Sequence, residues 1–111
     1  MSKKDNEDWF HFRNPYMSDA AKISFLQRRI LVASICYYQF DGSPISDYVY
    51  ERISKQLLRL TEAADVEERE RSEYWYVFHD YDGSTGFDLF YRLTEKDKRY
   101  LLQIANNVYR R

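Results

Sequence analysis

Cysteine is almost missing from this chain: Cys36 is the only one among 111 residues. An internal disulfide is therefore excluded, which fits a reducing compartment. Glycine and proline are scarce as well, three and two respectively. That argues against a fold of many tight turns and for long regular elements. No apolar run approaches the ~20 residues that a membrane-spanning helix needs. The N-terminus is polar and mixed in charge, unlike a secretory signal. Net charge is −1, so no global field draws the chain toward nucleic acid. These absences predict a cytoplasmic protein with no membrane partner.

Aromatic residues are what the chain has in abundance. They make up 18% of it, with eleven tyrosines. Much of the core must then be amphipathic rings whose hydroxyls need partners or water. The length suits one small domain with a thin core. Cys36 sits among apolar residues and reads as a small buried hydrophobe rather than a nucleophile.

Residues 1–17 form an aromatic N-terminal arm. Trp9, Phe10, Phe12 and Tyr16 are too apolar for a plain disordered tail, so they fold back or meet a partner, and Pro15 opposes a helix there. Residues 18–111 form a single helical domain. Ser18 is a helix N-cap with Asp19 in the first turn. Ile23, Leu26, Ile30, Ala33 and Tyr37 then recur at three-four spacing to about Phe40, with Gln27, Arg28, Arg29 and Ser34 largely outside that stripe. The wide apolar face predicts a central helix with more than one neighbour.

Gly42 is placed to end this helix in a left-handed conformation, and Pro44 drives Ser43 toward an extended shape. Ser46 caps a second helix with Asp47 just inside it, and Ile45 and Tyr50 occupy the staple positions. Tyr50, Ile53, Leu57, Leu60 and Ala64 carry its apolar face. The short connection predicts antiparallel neighbours. Residues 61–73 hold six acids against Arg69 and Arg71, which reads as a solvated face or connector. Tyr74–Phe78 suits the extension of a third helix or a short strand, helix being favoured; residues 79–88 read as a loop, and Thr94 as the cap of a last helix with Asp97 in the capping-box position. The fold expected is all-α: a compact domain of three to four helices on an antiparallel hairpin.

The hairpin end is the most promising site. Asp47, Tyr50 and Glu51 stand at i, i+3 and i+4, on one side of the second helix. Tyr37 and Tyr38 end the first helix beside them. A tyrosine face stacks on flat rings, cationic ones above all, and carboxylates accept hydrogen bonds from ribose hydroxyls or an amide. The same residue types also suit an ordinary hairpin end, with Tyr50 as staple, Asp47 as dipole partner and Tyr37 in the core.

The pattern Tyr37-Tyr38, Asp41, Pro44-Ile45, Asp47-Tyr48-Val49-Tyr50-Glu51 resembles the N-terminal domain, often called Ia, of bacterial NAD-dependent DNA ligases. The resemblance covers about residues 22–60. That helical domain binds the nicotinamide mononucleotide half of NAD. Its pattern is a Tyr-His pair, a turn with Asp, Pro and Ile, then Asp-x-x-Tyr-Asp. By resemblance, Tyr37 stacks on nicotinamide, Asp47 and Glu51 hold the amide or ribose, and Tyr50 shapes the pocket. Tyr38 stands where the family has histidine. Glu51 replaces aspartate, which keeps the charge and moves it outward by one methylene. The chain also resembles small phage-encoded, ligase-related proteins that share Asp-Gly-Ser-Thr-Gly-Phe, which implies a bacterial host cytoplasm.

Ligase chemistry itself is not expected. The nucleophilic lysine of Lys-x-Asp-Gly is absent, because Asp80-Tyr81-Asp82-Gly83 has an acid in its place. The chain also has no room for the other ligase domains. Asp82-Gly83-Ser84-Thr85-Gly86 lacks the Gly-Lys-Ser/Thr end of a phosphate loop. Asp80, Asp82 and Ser84 alternate like calcium ligands, but Tyr91 falls where the closing glutamate belongs. His11, His79 and Cys36 give no zinc spacing. No catalytic or metal residues are assigned.

Three functions follow as expectations. The first is a non-catalytic module that binds nicotinamide mononucleotide or NAD through Tyr37, Tyr38, Asp47, Tyr50 and Glu51, with no cofactor required. The second is a protein-interaction module that inhibits a host enzyme or a defence nuclease, of the anti-CRISPR kind. The third is nucleic-acid binding through the basic C-terminal helix: the last twenty residues hold six basic side chains against two acids, with Phe90 and Tyr91 just before them and Tyr100 and Tyr109 among them. Tyrosine-rich surfaces suit self-association equally, so a homo-oligomer stays open.

Overall fold

A computed structural model describes residues 9–40, 42, 45–84 and 86–109 of the chain, and for Tyr109 the backbone only. Among these residues there are six helical segments and no strand. Three are long: α1 (Asp19–Gln39), α2 (Asp47–Ala63) and α6 (Glu95–Tyr109). Three are short: α3 (Val66–Arg71), α4 (Trp75–Phe78) and α5 (Leu89–Arg92). The all-α expectation holds. No helix among the described residues is long and apolar enough to cross a membrane.

The long helices begin where local chemistry places them. Ser18 Oγ accepts from the Ala21 N–H at 3.1 Å, and Ser46 Oγ accepts from the Val49 N–H at 3.2 Å. Each serine satisfies one of the amides left open at a helix start. Thr94 Oγ1 does the same for Asp97 N–H at 3.2 Å. The return half of that capping box is made differently. The Thr94 N–H donates to Tyr76 Oη at 3.2 Å, and the Tyr76 hydroxyl donates to the Asp97 carboxylate. A tyrosine from α4 thus bridges the gap that the short aspartate leaves.

Helix α1 is the axis of the molecule. It contacts α2, α3, α5 and α6. Every residue from Ile30 to Cys36 is buried, so over two turns no face meets solvent. Cys36 lies fully inside, its thiol against the Ala105 carbonyl at 3.6 Å, and burial raises its pKa. The expected broad stripe is thus a complete girdle. Gln27 and Ser34 are buried within it, 1% and 4% exposed, rather than lying outside it.

Gln27 explains why no single third helix forms. Its amide donates to Ser72 Oγ at 3.0 Å and accepts from the Tyr74 N–H at 3.0 Å. Ser24 Oγ accepts from the Glu73 N–H at 2.8 Å. Side chains of α1 therefore capture the amides that would continue α3 into α4, and the chain turns at 72–74. Buried backbone donors need a partner, and here α1 supplies it. Helix α5, which the sequence reading left unassigned, follows the loop and carries buried Leu89.

Of the arm's aromatics, Phe10 and Phe12 pack on the body, while Trp9 and Tyr16 are exposed. Phe10 packs its ring at 4.6 Å from Phe25 on α1 and exchanges two backbone hydrogen bonds with the Gln56 amide on α2, at 2.9 and 2.7 Å. Phe12 completes the cluster at 4.8 Å from Phe10. Residues 1–8 lie outside the described residues, as do Asp41, Ser43, Pro44, Thr85, Arg110 and Arg111. The extended Ser43–Pro44 turn therefore falls outside what is described. Gly42 closes α1 by donating to the Cys36 carbonyl at 3.0 Å, and the left-handed conformation expected of it falls outside what is described.

The candidate aromatic cleft at the hairpin end

Helices α1 and α2 pass in opposite senses. Near one end, Phe10 joins Phe25 of α1 to Gln56 of α2. At the other, Ala33, Ser34, Tyr37 and Tyr38 of α1 meet Asp47 and Tyr50 of α2 around a cleft of about 190 Å³. Gly86, from the loop before α5, completes its wall. Four of the five residues singled out in the sequence therefore share one concavity.

Glu51 is the exception, and its place in the pocket is corrected. It does not line the cleft, and its carboxylate pairs with Lys55 at 3.2 Å in solvent. The helix advances about 100° per residue, so Tyr50 and Glu51 leave α2 in different directions. The cleft lies on the Tyr50 side of Asp47, and that turns Glu51 away.

The rings are arranged as an open wall. Tyr37 and Tyr38 meet edge to face at 4.8 Å, and Tyr38 meets Phe87 at 5.4 Å. Tyr37 is 54% exposed, so its ring is a surface group and not core packing. Tyr50 is held from behind. Its hydroxyl lies 3.1 Å from that of Tyr81, which in turn lies 3.0 Å from Ser54 Oγ. Burial is the main cause pushing the Tyr81 hydroxyl pKa far up, so it acts as a neutral link in this chain.

Sequence reasoning missed Ser34, Ala33 and Gly86. Ser34 Oγ is buried and has no hydrogen-bond partner. Gly86 is there because nothing larger fits: a Cβ on it would collide with Ser34 Oγ and come within 2.7 Å of Tyr50 Oη. The uncharged run Ile30–Cys36 is the one sequence signal that α1 is enclosed at Ser34. No spacing rule points to Gly86.

The loop carries no phosphate-cradle geometry among its described residues. Asp82 Oδ1 accepts from the Ser84 N–H at 3.0 Å, which uses the amide an anion would need. Those bonds with Ser84 hold the Asp82 carboxyl below its usual range. Gly83 takes φ of +87°, the left-handed turn that glycine permits. No group of three His, Cys, Asp or Glu side chains among the described residues is arranged to hold a metal.

Two of the basic side chains near the C-terminal end have partners within the chain. Arg92 bonds to Asp80, to Asp88 at 2.9 Å and to the Val77 carbonyl at 3.1 Å. Lys98 pairs with Glu95 at 3.4 Å and lies 5.5 Å from the Phe90 ring centre. Arg110, Arg111 and the Tyr109 side chain lie outside the described residues.

A second cleft lies across α1. It measures about 420 Å³ and is lined by Phe25, Val32, Ala33, Ile45, Ile104 and Val108, with Arg28 and Arg29. Set against protein-family models, curated proteins and solved structures, the chain finds no match.

Proposed function

We propose that this chain is a non-catalytic binding module whose hairpin-end cleft takes a nicotinamide-mononucleotide-like ligand, alone or as part of NAD. The observation that carries the reading is the convergence of Tyr37, Tyr38, Tyr50 and the Asp47 carboxylate on one concavity. Rings offer a face for the pyridinium, and the carboxylate accepts from hydroxyls or an amide. The unpartnered Ser34 hydroxyl adds a polar group at the wall. At about 190 Å³ the cleft is smaller than the ~300 Å³ at which enclosed ligand sites usually begin. It therefore holds the ring and leaves the sugar phosphate at the mouth. Calorimetry with nicotinamide mononucleotide and NAD tests this. Saturable heat that disappears in Tyr37→Ala is expected; folded protein giving no heat at millimolar ligand contradicts it.

A second reading is favoured by the exposed rings. Tyr37, Tyr38, Phe87 and Tyr91 follow one another at ring separations of 4.8, 5.4 and 6.5 Å. Exposed aromatic clusters are common at protein interfaces. On this reading the chain is a phage-type inhibitor of a host enzyme or defence nuclease, and the hairpin is its scaffold. A bacterial protein retained by the wild type and released by Phe87→Ser with Tyr91→Ser supports it. No retained partner removes its support.

A further inference from the structure

The charge around the aromatic cleft defines its ligand more narrowly than the rings do. Among the described residues seven line it, and of these only Asp47 carries a charge. No lysine or arginine stands among them. Two flanking carboxylates are already paired: Glu51 with Lys55 at 3.2 Å, and Asp88 with Arg92 at 2.9 Å. A phosphate at the mouth of this cleft meets a carboxylate and ring faces, and both repel it.

From this arrangement we infer that the cleft selects a compact aromatic cation, and that the phosphate-free nucleoside, nicotinamide riboside, is its better ligand. The inference rests on the binding reading proposed above and narrows its ligand class. Three tyrosines turn toward a volume that fits one ring, and ring faces attract cations through their quadrupole. Asp47 adds a full opposite charge at the same mouth. Ser34, 4% exposed and with an unpartnered hydroxyl, stands in the same wall. Gly86 lets the loop seat closely on this wall, since a Cβ there would press on both Ser34 Oγ and Tyr50 Oη.

The two candidate ligands differ in net charge. The riboside carries +1. The mononucleotide adds a phosphate monoester of about −1.5 to −2 at pH 7, which reverses the sign. A cation-selective site should therefore favour the riboside, most strongly at low salt, where exposed charges are least screened.

Calorimetric titration of the full chain with three probes tests the inference. These are nicotinamide riboside, nicotinamide mononucleotide, and the reduced dihydronicotinamide riboside, which keeps the amide and sugar and loses the charge. The oxidised riboside is expected to bind roughly tenfold tighter than the reduced one, and more tightly than the mononucleotide. Asp47→Asn is expected to remove most of the oxidised-over-reduced preference while reduced riboside still binds and the melting curve stays cooperative. A mononucleotide that binds clearly tighter than the riboside overturns the inference and leaves the binding reading standing. Equal affinity for the two riboside forms, or an unchanged preference in Asp47→Asn, also overturns it. Failure of all three probes to bind the folded chain overturns both.

Discussion

The two clefts beside α1 share Ala33 and differ in almost everything else. The one at the hairpin end is small, walled by tyrosines and negative. The other is about 420 Å³, walled by aliphatic side chains and Phe25, and rimmed by Arg28 and Arg29. Arg28 is held by Glu73 at 2.8 Å and lies 6.0 Å from the Tyr100 ring. Concavity is thus common to both, whereas sign and ring content belong to one each. A flat cation finds ring faces and a carboxylate in the first and two guanidinium groups in the second. The chemistry of the lining, more than the volume, distinguishes them.

The contrast is broken most severely at Gly86. Gly86→Ala drives a methyl group into Ser34 and Tyr50, and overpacking of this kind costs about 1–3 kcal/mol. The melting temperature should fall and nicotinamide mononucleotide binding should vanish together. Unchanged stability would mean that the loop is not seated on the hairpin.

Buried against Gln27 of α1, Tyr74 offers a test by pH. It is fully buried beside the Arg28–Glu73 pair, near enough for both to bear on its titration, and its hydroxyl has no well-aligned hydrogen-bond partner. Burial first, then the Glu73 charge, pushes its pKa from 10.0 up to about 12. The folded state holds this proton more tightly than the unfolded one. Its contribution to stability is therefore intact below pH 10 and is lost as pH rises through about 12. The loss amounts to about 2–3 kcal/mol. Tyr74→Phe removes that part of the alkaline step. At pH 7 it should equal or exceed the wild type by up to ~1 kcal/mol, because no bond is lost. Denaturant melts at pH 7 and pH 11 measure both effects, and a variant markedly weaker at pH 7 contradicts the unpartnered hydroxyl.

Tyr81→Phe sharpens the comparison by loosening one cleft alone. It removes a hydrogen-bond partner from Tyr50 and another from Ser54, at a cost of about 1–2 kcal/mol. Ligand affinity at the aromatic cleft should fall while the Arg-rimmed side keeps its structure. Asp47→Asn acts on charge with little effect on stability. Affinity for nicotinamide riboside should drop about tenfold, equivalent to ~1.4 kcal/mol. Glu51→Gln is the smallest change, because its carboxylate is turned toward Lys55. It should leave affinity within twofold of the wild type; a loss matching that of Asp47→Asn would place Glu51 at the ligand after all.

Local rules carried the sequence reading a long way. Ser18, Ser46 and Thr94 cap the long helices because capping needs only a hydroxyl and the next turn's amide. Tyr37, Tyr38, Asp47 and Tyr50 were legible because a short connection fixes which helix ends meet. What stayed hidden depends on distant partners. Gln27 is buried because residues 72–74 come to its amide from 45–47 positions away. Gly86 enters the wall through the loop after α4, which no periodicity places. Glu51 was misplaced because i, i+4 spacing defines a side of a helix but not which edge of that side faces the neighbour.

The central claim is that the tyrosine-walled cleft, and not its neighbour across α1, receives the ring. Nitrogen-15 amide spectra recorded during titration with nicotinamide mononucleotide test it most directly. Saturating shifts concentrated at Ala33, Ser34, Tyr37, Tyr38, Asp47, Tyr50 and Gly86 are the result this account predicts. Shifts centred on Arg28, Arg29, Ile104 and Val108, or none at millimolar ligand, would contradict it.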